Sequence, residues 1–166
     1  QVAMSRPRSA IDAVALRKVH PAAVSARLRV PREQQAVAAA REAVGPAIRL
    51  MVDAVYNLGV PQALRLARAF APYDIYWLEA PGSPYDVAGQ ARVQAQSAIP
   101  VCGNETEYGL DRFRELIVAG AVEFVQFDVA ACGGVSEGRR IANLARAFHR
   151  PCSLHAASSV VVMAAS

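Results

Sequence analysis

A polar or ionisable residue closes each of six apolar runs at near-constant spacing. These are Arg29, Asp53, Glu79, Glu105, Asp128 and His155, at steps of 24, 26, 26, 23 and 27 residues. A step of about 25 residues is what a β-strand, a crossover helix and two short loops require. The intervening stretches follow this rhythm. Strands are expected over Ala26–Val30, Ile48–Asp53, Ile75–Glu79, Ile99–Gly103, Glu123–Asp128 and Cys152–His155, where β-branched and aromatic residues gather. Helices are expected over Glu33–Val44, Pro61–Ala71, Asp86–Gln96 (Asp86 as N-cap), Leu110–Ala119, Ser136–Phe148 and Ser158–Ala165. Ser9–Val19 reads as a further helix. An α/β architecture follows, either an open doubly wound sheet or a (β/α) TIM-type barrel. No glycine-rich phosphate fingerprint follows the first strand, and an ionisable residue ends every strand. Only a barrel brings all those ends to one face around one axis, so the pattern favours the barrel.

With 166 residues, the chain is short of the roughly 250 that an eightfold barrel takes. About six βα units can be counted, so an incomplete barrel is expected over 26–166, after an N-terminal segment at 1–25 that could be a linker-helix remnant. An open barrel exposes strand edges. Either residues of a longer protein or another copy of the chain covers them, and the second option makes a homo-oligomer the expected partner.

Composition narrows the function classes. Hydrophobic residues make up 54% and charged residues 19%, which excludes a disordered, solvated chain. Net charge is +4, and all but one of the 18 basic side chains are Arg, the exception being Lys18. The Arg residues are scattered among acids without interleaved aromatics, which argues against a nucleic-acid partner. No apolar run is long enough to span a membrane, and no secretory core is visible at the start. Cys102, Cys132 and Cys152 lack metal-binding or paired spacing and sit in or beside apolar runs, as buried free thiols in the cytoplasm do.

Three successive strand ends supply carboxylates: Asp53 in MVDAVYN, Glu79 in YWLEAP and Glu105 in CGNETEYG. Such acids can simply cap the next helix. Three converging on one spot, however, raise one another's pKa unless a cation lies between them. Oxygen-only ligands favour Mg²⁺, or Mn²⁺, over zinc. The next two strands end in Asp128 (FVQFDV) and His155 (CSLHAAS). An Asp that accepts from one imidazole nitrogen fixes the ring and leaves the other nitrogen free to move a proton. Tyr108, close to Glu105 in sequence, is a candidate to line the same pocket.

The run VDA…WLEAP…GNETEYG…VQFDVAACGGVSEGRRIANLA…SLHAAS resembles the barrel domain of the enolase superfamily, mandelate racemase/muconate lactonizing enzyme-like subgroup, from about Arg27 to the C-terminus. That resemblance implies a Mg²⁺-dependent enzyme that abstracts the proton α to a carboxylate through a stabilised enediolate. It implies Asp53, Glu79 and Glu105 as metal ligands and Asp128–His155 as the catalytic dyad. It also implies a Lys or His base acting together with magnesium. Where the family carries a Lys-x-Lys pair, this chain has Arg27-Leu28-Arg29, and where it often has Asn the chain has Val55. An Arg stays protonated, which makes Arg29 a poor base, yet Arg27 and Arg29 can hold a small-molecule carboxylate substrate. One-base chemistry is therefore expected, a lyase that dehydrates a sugar acid or hydroxy acid. The alternatives are a racemase or epimerase of the same superfamily, and a non-catalytic partial barrel. No capping domain of the family's kind is recognisable.

Overall fold

The computed structural model describes residues 13–16, 30–156 and 160–165. Six strands and six α-helices are described: β1 (Ala13–Leu16), α1 (Val30–Val44), β2 (Arg49–Asp53), α2 (Val60–Phe70), β3 (Ile75–Glu79), α3 (Val87–Gln96), β4 (Val101–Gly103), α4 (Leu110–Val118), β5 (Phe124–Asp128), α5 (Val135–Ala147), β6 (Cys152–His155) and α6 (Val160–Ala165). The strands form one sheet in the order β1-β2-β3-β4-β5-β6, each parallel to its neighbour. A doubly wound sheet reverses its strand order at a switch point. Here the order never reverses, and right-handed crossovers that always advance in one direction put their helices on one face. The architecture is thus α/β, a partial (β/α) barrel.

The core lies between the sheet and this helical layer. Leu50, Val52, Ile75, Leu78, Val101, Val125 and Phe127 point outward from the strands and are buried against Leu64, Leu66 and Phe70 of α2, Val93 of α3, Phe113, Leu116 and Ile117 of α4, and Ile141 of α5. Adjacent helices touch in the pairs α1–α2, α2–α3 and α4–α5. Because side chains alternate along a strand, residues between these core positions face the barrel interior. Asp86 caps α3 as expected, its Oδ1 accepting from Gly89 N at 2.8 Å. Arg41 ties the end of α1 to the starts of β2 and β3, donating to the carbonyls of Gly45, Ile48, Tyr73 and Asp74. No helix among the described residues is long and apolar enough to cross a membrane.

Two expectations need correction. The helix expected over Ser9–Val19 is not what is found there: Ala13–Leu16 is a strand, its backbone paired with Arg49–Val52 of β2. Strand pairing in a parallel sheet outweighs the modest helical bias of Ala and Leu in so short a run. The strand expected over Ala26–Val30 does not reach Val30, which opens α1 with Pro31 in its first turn. Residues 26–29, including Arg27 and Arg29, lie outside the described residues. Cys102 and Cys132 are buried free thiols, but Cys152 is exposed, since it faces outward from the edge strand β6.

Leu78 is fully buried at the centre of this core, one residue before Glu79. Leu78→Ala is expected to lower unfolding stability by about 2–5 kcal/mol, combining lost transfer energy with a residual cavity. Urea titration followed by circular dichroism measures it; a loss below about 1 kcal/mol contradicts the packing described.

Candidate active site

Parallel register sets the level at which each strand ends. Asp53 is the direct partner of Glu79 across the β2–β3 ladder, and Asp128 that of His155 across β5–β6. The first match depends on an irregularity. Leu50 pairs with Ile75 but Met51 pairs with Trp77, so β3 carries one extra residue, Tyr76. A one-residue shift exchanges the faces of a strand. Without it Asp53 would stand beside core-facing Leu78.

Asp128 and His155 form a closed pair. His155 Nδ1–H donates to Asp128 Oδ2 at 2.8 Å, and Asp128 Oδ1 accepts from Ala130 N at 2.8 Å. Asp128 is buried and His155 half-buried. Both carboxylate oxygens are engaged, so the ring is held in one orientation and Nε2 is left for proton transfer.

The three carboxylates are less alike. Asp53 closes β2, and its Oδ1 accepts from Val55 N at 2.8 Å. Glu79 closes β3, with Oε1 accepting from Gln126 Nε2 at 2.9 Å and Oε2 from Trp77 Nε1 at 3.1 Å. Glu105 is not on a strand: β4 stops at Gly103, and Glu105 follows Asn104 in the turn beyond it. The Tyr56 hydroxyl donates to its Oε2. Burial is the main influence that raises the Glu79 pKa above its ordinary value; the Asp53 and Glu105 charges add to it, and the Gln126 and Trp77 hydrogen bonds offset part of it. The three acids therefore share one electrostatic field. Among the described residues, however, no three His, Cys, Asp or Glu side chains stand close enough to grip one metal ion. Each acid is held instead by a protein donor. The donor set itself, three hard oxygen ligands with mutually repelling charges, fits a divalent cation such as Mg²⁺.

Several contributors were not visible in the sequence. Gln126 lies on the same interior face as Asp128, two residues earlier, and an alternating reading of VQFDV could have found it. Tyr56 is placed by a turn that no local motif announces. Asn104 is 1% exposed, and neither of its side-chain amide atoms has a partner among the described residues; the same holds for Gln126 Oε1. Trp77 packs on the interior face of the sheet. It does so against Tyr76 and Phe124, with centroids 5.2 and 5.1 Å away, and also donates to Glu79. Cys102, level with Glu79 in the register, is a neutral thiol pushed upward first by burial and then by the Glu79 and Glu105 charges. Tyr108 is 74% exposed beyond β4, its ring beside Gly133, and no hydrogen bond joins it to the carboxylates among the described residues.

The raised Glu79 pKa has a defined sign in the metal-free protein. Unfolding returns the carboxyl to its ordinary value near 4.5, so the folded state holds the proton more tightly than the unfolded state. The stability cost is absent below that value, grows as pH rises from it through the folded pKa, and is constant above. Glu79→Gln is expected to flatten the metal-free stability curve in that window. Denaturation midpoints measured across it, in chelator, check this; parallel wild-type and variant curves contradict it.

Comparison with known proteins places the fold in a family. The sequence model of the family described as enolase C-terminal domain-like covers residues 6–166. D-galactarolactone cycloisomerase of Agrobacterium fabrum is 41% identical over 116 residues, 70% of this chain and 31% of the relative. L-talarate/galactarate dehydratase of Salmonella typhimurium is 33% identical over 122 residues, 74% of this chain and 31% of the relative. The crystal structure of a racemase from Streptomyces coelicolor A3(2) with bound magnesium superposes with a TM-score of 0.78 at 34% identity, covering 83% of this chain and 39% of that one. The chain thus spans about a third of the length of the curated relatives it matches. With an unreversed parallel sheet, acids at successive strand ends and a family match across nearly its whole length, the chain belongs to the enolase C-terminal domain-like family.

Proposed function

We propose that the protein abstracts the proton α to the carboxylate of a sugar acid or hydroxy acid and expels a β-hydroxyl as water, a Mg²⁺-dependent lyase reaction. The observation that carries this reading is the His155–Asp128 pair, locked at 2.8 Å on the same sheet face as the strand-end carboxylates. The similarity to a galactarate dehydratase and to a galactarolactone cycloisomerase supports a sugar-acid substrate.

Asp53, Glu79 and Glu105 are the residues proposed to hold the ion, with Mn²⁺ as a substitute. Magnesium, when bound, supplies positive charge against the negative charge that develops on the substrate carboxylate. His155 Nε2 takes the α-proton, and the electron pair left on the α-carbon moves into an enediolate. As that pair returns to expel the β-oxygen, the His155 imidazolium delivers its proton to the leaving hydroxyl, which departs as water. Asp128 does not change its proton count; it keeps Nδ1–H in place through both transfers. Arg27 and Arg29 are proposed to hold the substrate carboxylate, since a guanidinium stays protonated, and Tyr108 to line the pocket.

A second reading, a racemase or epimerase, is favoured by the likeness to the magnesium-containing racemase. It needs a second base opposite His155, a role a guanidinium fills poorly. The free thiols support a cytoplasmic setting.

His155→Asn is expected to cut dehydration of the sugar acid by roughly 10²–10⁴-fold and to abolish α-proton exchange in D₂O. Nuclear magnetic resonance of the α-proton reads both, and exchange that survives the substitution rejects His155 as the base. Mg²⁺ is expected to raise the melting temperature of the wild type and to leave Glu79→Gln nearly unshifted. Equal shifts in the two proteins count against the carboxylate site.

A further inference from the structure

Glu105 is the one proposed ligand that the sheet does not place. Asp53 and Glu79 are the last residues of β2 and β3 and are levelled by their own ladder. Glu105 stands two residues past β4, behind Asn104, whose φ of 83° is a left-handed conformation. A carboxylate on such a turn needs an anchor from elsewhere.

That anchor is Tyr56. Its hydroxyl donates to Glu105 Oε2 and accepts from Asn104 N at 3.2 Å, so one phenol fastens the turn at both its backbone and its carboxylate. The loop presenting Tyr56 is itself fixed. Val55 and Tyr56 have φ of 50° and 58°, a region that side-chain-bearing residues rarely adopt and that persists only where the surroundings impose it. Two hydrogen bonds impose it here: Val55 N to Asp53 Oδ1 at 2.8 Å and Tyr56 N to Ala80 O at 2.7 Å. The turn that orients Asp53 thus also aims the phenol across β3 at Glu105.

We propose that Tyr56 is a positioning residue for Glu105, its phenol holding one carboxylate oxygen and leaving the other to a divalent cation. This inference rests on the metal-site reading above. Outer-shell partners of this kind orient ligands, and their removal costs typically 10–100-fold in metal affinity.

The test titrates Mg²⁺ alone, and Mn²⁺ alone, into wild type, Tyr56→Phe, Glu105→Gln and the double variant, by calorimetry and by Mn²⁺ electron paramagnetic resonance. Tyr56→Phe keeps the ring and drops the hydroxyl. It is expected to weaken binding about 10–100-fold, while the double variant binds no more weakly than Glu105→Gln alone, because the phenol acts only through that carboxylate. Unchanged affinity in Tyr56→Phe, or losses that simply add in the double variant, overturn the role of Tyr56 and leave the metal site standing. A wild type that binds neither ion overturns both. Should Tyr56→Phe give no cooperative melt, Glu105→Asp replaces it. It keeps the charge but withdraws the carboxylate from the phenol, and full affinity in that variant overturns the proposal.

Discussion

The register between β2 and β3 is the constraint on which the site depends. Parallel pairing would run from Leu50–Ile75 straight to a mismatch at the strand ends, with Asp53 beside a core leucine. The extra residue at Tyr76 corrects this, so the outward series (Leu50, Val52, Ile75, Leu78) and the inward series (Met51, Asp53, Trp77, Glu79) each stay on one face. The displaced Tyr76 is put to structural use, packing with Trp77 and Phe124 and lying under the Arg49 guanidinium, 4.8 Å from its centroid. That aromatic layer sits below the acids and gives the interior face a floor. Packing and chemistry are separated along one strand by two residues.

Above that floor, the acids are arranged against their own electrostatics. Glu79 is half-buried and lies within the field of two other carboxylates, and its pKa is raised accordingly. The chain softens the conflict with neutral donors: the Gln126 amide and the Trp77 indole on Glu79, and the Tyr56 phenol on Glu105. Neutral N–H and O–H groups satisfy lone pairs without cancelling charge. The arrangement is stable enough to fold and still short of positive charge, a state that favours a cation over an apolar ligand. Burial, reinforced by the same field, keeps Cys102 protonated, which makes a nucleophilic role for that thiol unfavourable.

Much of this was legible in the sequence because the repeating unit is long and strongly patterned. Ile75–Glu79 and Cys152–His155 are found with the expected bounds, the helix expected from Glu33 starts three residues earlier at Val30, and the strands and helices after it shift by a residue or two at their ends. The N-terminal part was misread for a physical reason. Ala13-Val14-Ala15-Leu16 has little intrinsic preference, and only pairing with β2, a contact across more than thirty residues, makes it a strand. Propensity is blind to such pairing. Asp53, Glu79, Asp128 and His155 could be found because strand ends are periodic. Tyr56 and Asn104 escaped notice because they sit in left-handed turns that no local motif announces, and Gln126 because its place rests only on the alternation along VQFDV.

The two aspartates show how one local device serves two ends. Asp53 and Asp128 each close a strand, and each turns Oδ1 onto the backbone N–H two residues later at 2.8 Å. This short turn pins the carboxylate at the rim of the sheet and leaves Oδ2 to be directed by whatever lies on the next strand. Next to Asp128 stands His155, which takes that oxygen and closes the pair. Next to Asp53 stands Glu79, another acid that has no proton to offer when ionised, so Asp53 Oδ2 stays without a protein partner among the described residues. Glu105 Oε1 is in the same position. The identity of the neighbour on the next strand therefore decides whether a strand-end aspartate closes a hydrogen-bonded pair or keeps an open carboxylate oxygen. The sheet sets the open acids and the closed pair at opposite ends of one row.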